Sequence, residues 1–312
     1  MNTLICGSLA YDTIMAFPDH FKNHILPDKL HILNVAFLVP DMRREFGGTA
    51  GNIAYNLNLL DGKPLIMATV GDDFGSYGDW IGRNGLLSNH IFHVNGSFTA
   101  QAFITTDQGN NQITAFHPGA MNFSHNNKVS SAKDVTLGII APDGRDGMFQ
   151  HAQEFQEAGI PFMFDPGQGL PMFNGEELLQ FVDQADYLAL NDYEAQLMQE
   201  KTGLSLEQLA AKVKALVVTL GSQGSHIYTG GKRIEIPVVK AEVIVDPTGC
   251  GDAYRAGLLY GMSNGWDWLQ CGRLAGVMGS IKIASRGGQN HQPSREQIMA
   301  LYQSAFGETI SL

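Results

Sequence analysis

The twelve residues DPTGCGDAYRAG, Asp246 to Gly257, combine three glycines, two acids and a proline. Gly249, Cys250 and Gly251 open a helix, and the first N–H groups of a helix have no intrahelical partner, so together they form an anion site. Asp252 falls in the first helical turn, where the helix dipole favours a carboxylate and where it can serve as general base beside a bound phosphoryl group. A plain turn with an acidic cap is the competing reading. In EFGGTAGNIAYNL, Gly47 and Gly48 permit close backbone approach to a ligand, and Asn52 enters a helix with donor and acceptor exposed. CGSLAYD ends an apolar run with Ser8 and, four residues on, Asp12, an acceptor for the vicinal hydroxyls of a sugar unless it is simply solvated.

Two further stretches suit a nucleotide. LALNDYEAQLM places Asn191 at a strand end and Glu194 one turn into a helix, a pair that can hold hydrated Mg²⁺ through water or merely cap the helix. VVTLGSQGS offers Thr219, Gly221 and Gly224 as a backbone-rich bed for phosphates or ribose. Other familiar centres are excluded. Tyr254 stands where a dinucleotide GxGxxG would need its third glycine, and neither GxxxxGK[ST] nor a GxSxG elbow occurs. His20 and His24 share i, i+4 spacing without a carboxylate between them, and Pro27 follows, which argues against zinc.

The elements that must position these residues form a regular rhythm. TLICGS, PLIMATVGDD, TLGIIAPDG, IPFMFDPG, YLALND, ALVVTLG and VIVDPTG are short runs ending in Gly, Asp or Asn, read as strands between longer helical patterns. Such alternation predicts a mainly parallel sheet covered by helices, with ligands outside the strands' carboxyl ends. Ile53, Leu57 and Leu60 share one helix face, EELLQFVDQA and DYEAQLMQEKTG are amphipathic, and WLQCGRLAGVMGSIKIAS reads as a buried helix. Residues 13–45 and 97–118 break the rhythm, the second as a hairpin around DQGNN. They are expected to form a small β-rich lid, leaving 1–12, 46–96 and 119–312 as the α/β core.

At 312 residues, 44% hydrophobic and 16% charged, the chain can bury a sizeable core. Its net charge of −11 opposes nucleic acid and anionic membranes, while a local ring of N–H donors can still hold a small anion. The three cysteines, Cys6, Cys250 and Cys271, are too scattered for a disulfide framework and fit a reducing cytoplasm. The N-terminus lacks the basic start of a secretory signal, and no apolar run is long enough to span a membrane.

GGTAGN, NDYE, VTLGSQG and DPTGCGDAYRAG, in this order, resemble the ribokinase-like carbohydrate and nucleoside kinase family, the PfkB family, over nearly the whole chain. CGSLAYDTIMAFP, LPDKLHILNVAFLV, AFHPGAM and LNDYEAQL look like its bacterial adenosine kinases more than its sugar or sugar-phosphate kinases. The resemblance implies an α/β core with a β lid and transfer of the γ-phosphoryl of ATP, with Mg²⁺, to a primary hydroxyl, here the 5′-hydroxyl of adenosine. A sugar or another nucleoside is the alternative acceptor, and a non-catalytic nucleoside or nucleotide sensor is the rival from another class. The family's positions carry over as follows. Asp252 matches the base and the N–H groups of Gly249 to Asp252 the anion hole; Asp12, Gly48 and Asn52 match the ribose site, with Ser8 beside them. Asn191 and Glu194 match the Mg²⁺ and phosphate motif, Thr219, Gly221 and Gly224 the ATP bed, and residues from Ser280 to Gln289 the adenine site.

For a purine acceptor, Phe37, Phe103 and Phe116 offer apolar walls, or else fill the lid's own core, and Gln168 offers a polar contact. Arg43 and Arg44, the best candidates for a sugar phosphate, precede the glycine pair. Two residues depart from the pattern. Cys250 replaces the usual Ala and invites thiol sensitivity. Pro247 replaces the usual Thr and bears on a K⁺ or other monovalent-cation loop around the residue matching Asp246. A homodimer is a family-level expectation.

Overall fold

The computed structural model describes residues 2–25, 32, 34–109 and 111–312. Most of LPDKLHI lies outside them. In chain order the strands are β1 (Asn2–Cys6), β2 (Ala10–Ala16), β3 (Asp41–Gly47), β4 (Pro64–Val70), β5 (Leu87–His93), β6 (Ala100–Thr106) and β7 (Gln112–His117). They continue as β8 (Val135–Ile140), β9 (Phe162–Phe164), β10 (Tyr187–Asn191), β11 (Ala215–Thr219), β12 (Ser225–Thr229) and β13 (Lys232–Ile236). The helices are α1 (Thr49–Leu59), α2 (Gly75–Arg83), α3 (Arg145–Ala158), α4 (Gly175–Gln184), α5 (Asp192–Thr202), α6 (Leu206–Ala210), α7 (Cys250–Ser263), α8 (Trp268–Ile283) and α9 (Arg295–Phe306).

Nine strands form one sheet in the order β13-β12-β11-β10-β9-β8-β1-β4-β5, parallel from β11 to β5. Every residue of β4 is buried, as a strand covered on both faces requires. Successive residues feed alternate cores: Ile5, Ile66 and Ala68 pack with α1, α2, α7, α8 and α9, while Leu4, Cys6, Leu65 and Met67 pack with α3 to α6. Ile53, Leu57 and Leu60 are buried, and the apolar α8 lies across α7.

A second sheet, β3-β2-β6-β7, is inserted twice into this framework. β2 and β3 fall between β1 and α1, and β6 and β7 between β5 and β8. The two insertions meet in the parallel pair β2–β6, and β6–β7 is the expected hairpin. Asp107 knits its turn by accepting from the N–H groups of Phe21, Gly109 and Asn111.

One sequence expectation fails at the edge of the large sheet, and one feature there went unread. VIV, Val243 to Val245, is an exposed loop rather than a strand. The place beyond β11 belongs to the antiparallel hairpin β12–β13, so the run passes outside it, and the Val245 and Asp246 N–H groups bond Ile283 O at the end of α8. The hairpin itself was hidden by its polar composition. Its two-residue turn, Gly230–Gly231, has positive φ at both positions, which glycine supplies without strain.

Candidate active site

The carboxyl ends of the parallel strands, the N-termini of α1 and α7 and one face of the small sheet converge. Gly249 begins α7 with φ +77, and a side chain there would crowd Gly288 Cα at 3.1 Å. Among the described residues the N–H groups of Gly249, Gly251 and Asp252 have no partner, whereas that of Cys250 bonds Pro247 O at 3.1 Å. The anion site therefore has three free donors, not the four expected. Asp252 is half-buried, and burial pushes its carboxyl up to about 7; a hydrogen bond from Asn52 opposes this and the Asp165 charge adds to it.

Asn52 Nδ2 donates to Asp252 Oδ2 at 2.8 Å, joining α1 to α7 across 200 residues. A buried network fixes its orientation. Gln289 Nε2 donates to Asn52 Oδ1 at 3.1 Å and to Tyr77 OH at 2.6 Å, Tyr77 OH donates to Gly47 O, and Trp80 Nε1 donates to Gln289 Oε1. Gln289, expected at the ATP adenine, is thus buried beneath Asn52 with every polar atom engaged. Ser280 of that stretch is also buried, on α8.

Asp12 stands in β2 opposite Glu45 of β3 and Ala102 of β6, and Ala102 is opposite Phe116 of β7. Side chains alternate faces along a strand, so Asp12 and Phe116 share the face turned to the site. Burial, with the charges of Glu45 and Asp246, raises the Asp12 carboxyl to about 6. The glycine pair explains how Asp12 fits. A side chain at Gly47 would lie 2.4 Å from its Oδ2, and one at Gly48, where φ is +84, would meet Ser8 O at 2.5 Å.

Four expected substrate contacts are exposed or engaged by other groups. Phe103 pairs with Thr13 and Ala115 on the opposite face, exposed. Phe37 packs on Phe17 and Phe21 with ring centroids 4.7 and 5.0 Å away, filling the small sheet's own core. Ser8 is buried and engaged at the start of α1, its Oγ accepting from Thr49 N. Gln168 is exposed in the turn after β9. Arg43 faces the site but is paired with Glu45, while Arg44 lies on the other face, over the Tyr11 ring. His24 Nε2 pairs with Asp19 rather than with His20.

On the nucleotide side, Asn191 and Thr219 are register partners at the ends of β10 and β11. Asn191 and Glu194 form a reciprocal cap: Asn191 Oδ1 accepts from Glu194 N, and the Glu194 oxygens accept from Asn191 N and Nδ2, both at 2.8 Å. One accepted bond per oxygen leaves lone pairs for a water, so this donor set fits hydrated Mg²⁺. Burial, and next the Asp165 charge, raise the Glu194 carboxyl. Gly221 is open, whereas a side chain at Gly224 would strike Ile236 O at 2.1 Å, so that glycine serves the hairpin.

Beneath the anion site, Asp246 accepts from Thr248 N and Gly287 N, each at 2.9 Å, tying two loops together. Burial would raise its carboxyl, but these N–H groups hold it below the usual value. The bond to Thr248 bridges Pro247, so the missing proline N–H removes no bond from this turn. Lys282 Nζ donates to Asp246 O and to Ser285 O, both at 2.9 Å, and its side chain is fully buried. The Lys282 ammonium thus takes the carbonyl of Asp246, the residue around which the expected monovalent-cation loop would be built.

Burial pushes the Cys250 thiol up to about 11, and among the described residues its one bond is a long one to Asp246 O. A thiol this hard to ionise argues against the expected thiol sensitivity. At pH 7.5 iodoacetamide should label Cys250 much more slowly than an ordinary exposed thiol, as mass spectrometry of the treated protein would read.

Sequence reasoning missed Lys282 and the buried ion pair in which Arg255 Nε and a terminal nitrogen each contact an Asp165 oxygen at 3.0 Å. Both had signals: a lone ammonium within an apolar helix, and an arginine inside the glycine motif.

A parallel sheet with a helix N-terminus, an acid and an amide gathered at its strand ends, beside a small β sheet, offers the anion donors and the base that phosphoryl transfer to a small molecule requires. The comparisons agree. The sequence pattern of the pfkB family of carbohydrate kinases matches residues 14–295. The chain is 51% identical to a Burkholderia thailandensis nucleoside kinase solved with inosine, with a TM-score of 0.91 over 98% of this chain and 99% of that one. It is 31% identical to a Methanocaldococcus jannaschii nucleoside kinase over 85% of this chain and 88% of the other. With a Bacillus subtilis ribokinase it shares 25% identity over 82% and 87%. The chain belongs to the pfkB family, and it is an ATP-dependent kinase of nucleosides or sugars.

Proposed function

We propose that the chain transfers the γ-phosphoryl of ATP to the 5′-hydroxyl of purine nucleosides, taking inosine as well as the adenosine its sequence suggested. The observation that carries this is the Asn52–Asp252 contact beside the free N–H groups of α7, with Asp12 facing it from the small sheet. The inosine in the Burkholderia relative supports a base broader than adenine.

Asp12 and Asn52 hold the ribose hydroxyls, and Phe116 offers the base an apolar wall. Asp252 takes the proton as the 5′-oxygen bonds to the γ-phosphorus and the bond to the ADP oxygen breaks. The N–H groups of Gly249, Gly251 and Asp252 hold the transferring oxygens. Asn191, Thr219 and Gly221 border the nucleotide, and Asn191 and Glu194 would hold Mg²⁺ through water, where it would neutralise phosphate charge. The small sheet of β2, β3, β6 and β7 closes as a lid over the acceptor.

Measuring ADP released with adenosine, inosine, other nucleosides, ribose and fructose tests the reading. Turnover with both purine nucleosides is expected; turnover with sugars alone would replace it, and none with any acceptor would favour a sensor. Asp12→Asn should raise the KM for nucleoside by about 10-fold or more, since charge-assisted hydrogen bonds contribute about 1.5–3 kcal/mol each, while the KM for ATP stays within about twofold. The homodimer would cover the outer face of the small sheet, where Met42, Phe103 and Ile113 are exposed, and sedimentation would show it.

A further inference from the structure

We propose that Lys282 is a positioning residue, whose ammonium supplies the monovalent positive charge between the two loops that shape the phosphate site, so that the enzyme works without a free alkali cation. The inference rests on the kinase reading above, and its test contains one measurement independent of it.

The ammonium lies between two backbone carbonyls, Asp246 O before α7 and Ser285 O after α8, the arrangement of a small cation among oxygen ligands. It sits directly under the phosphate site, since a side chain at Gly249 would come within 3.7 Å of Lys282 Cε. Asp246 makes the complementary contact, its carboxylate bonding Thr248 N and Gly287 N in the same two loops. Carbonyls and carboxylate thus fix the segment that presents the Gly249 N–H.

The charge, and not only the crosslink, requires explanation. Burying an ammonium is costly, and among the described residues no carboxylate forms an ion pair with Lys282 within 4.0 Å. A neutral donor could bridge two carbonyls at lower cost. What the neutral donor lacks is a positive charge beside a site crowded by acids. Asp12 feels the fields of Glu45 and Asp246, and Asp252 those of Asp165 and Asp12 with Arg255 opposing them, where a polyphosphate must also enter. Lys282 offsets that field from within the fold.

The test compares the wild type, Lys282→Ala and Lys282→Met in potassium, ammonium and tetramethylammonium chloride at equal ionic strength. The wild type is expected to show the same kcat/KM for ATP and the same Tm in all three salts. Lys282→Ala should lose about 10-fold or more of kcat/KM in tetramethylammonium, and potassium or ammonium should restore much of it while raising its Tm. Lys282→Met, which fills the space without charge, should lose as much and recover nothing. Wild-type activity in Lys282→Met, or a Lys282→Ala protein that no small cation rescues, would overturn the proposal. Should neither variant fold, several-fold activation of the wild type by potassium would overturn it and equal activity in all three salts would support it. A wild type inactive on every acceptor would sink the kinase reading alone, because the salt dependence of Tm in Lys282→Ala still reads the cation site.

Discussion

Asp252→Asn is expected to lower turnover by at least about 100-fold while leaving the fold and ATP binding intact, because a positioned general base contributes about 10²–10⁴-fold. Asn keeps an oxygen for the bond from Asn52 Nδ2 and loses the capacity to take a proton. The carboxyl titrates near 7, so kcat/KM of the wild type should fall with a one-proton slope below that pH as the base is neutralised. Stability moves the other way. Its folded pKa is raised above the unfolded value of 3.8, so its contribution to stability is full below that value and is lost as pH rises through about 7. Asp252→Asn should therefore melt above the wild type at pH 8, with the gap vanishing toward pH 4. Near-normal turnover in this variant would remove Asp252 from the mechanism.

Arg255→Met should cost about 3–5 kcal/mol of stability, read as a lower urea midpoint, because it strands the buried Asp165 carboxylate. Arg255 is one turn beyond Asp252 and anchors α7 to the end of β9, with the charges of Glu194 and Asp252 also acting on it. The double variant Arg255→Met, Asp165→Leu should recover much of the loss, since a matched apolar pair removes both desolvated charges. A single variant as stable as the wild type would show that Asp165 finds another partner or protonates at little cost.

The sequence displayed best what is local. A glycine with positive φ, an acid in a first turn and an Asn-x-x-Glu cap are written within a few residues, so the starts of α1, α5 and α7 could be read directly. The strand signal was legible as a continuous apolar run wherever both faces are covered, as in β4. It misled at Val243–Val245, where the edge was already occupied, and at Phe103, whose face depends on the β2–β6 register. Gln289 lies near the site in sequence, yet its role was set by Tyr77, Trp80 and Asn52, more than 200 residues away. Lys282 bonds carbonyls, and carbonyls have no signature in a sequence.

The double insertion of the small sheet also bears on how the molecule assembles. Neither insertion makes more than a two-stranded ribbon by itself, and such ribbons are marginal in water. The β2–β6 pair joins segments far apart in sequence, a contact with a high loop-closure cost that the alignment of β1, β4 and β5 lowers by bringing the two excursions side by side. Asp12 is therefore expected to reach its place late in folding, which pulsed hydrogen exchange during refolding would read as later protection of β2 and β6 than of β1 and β4.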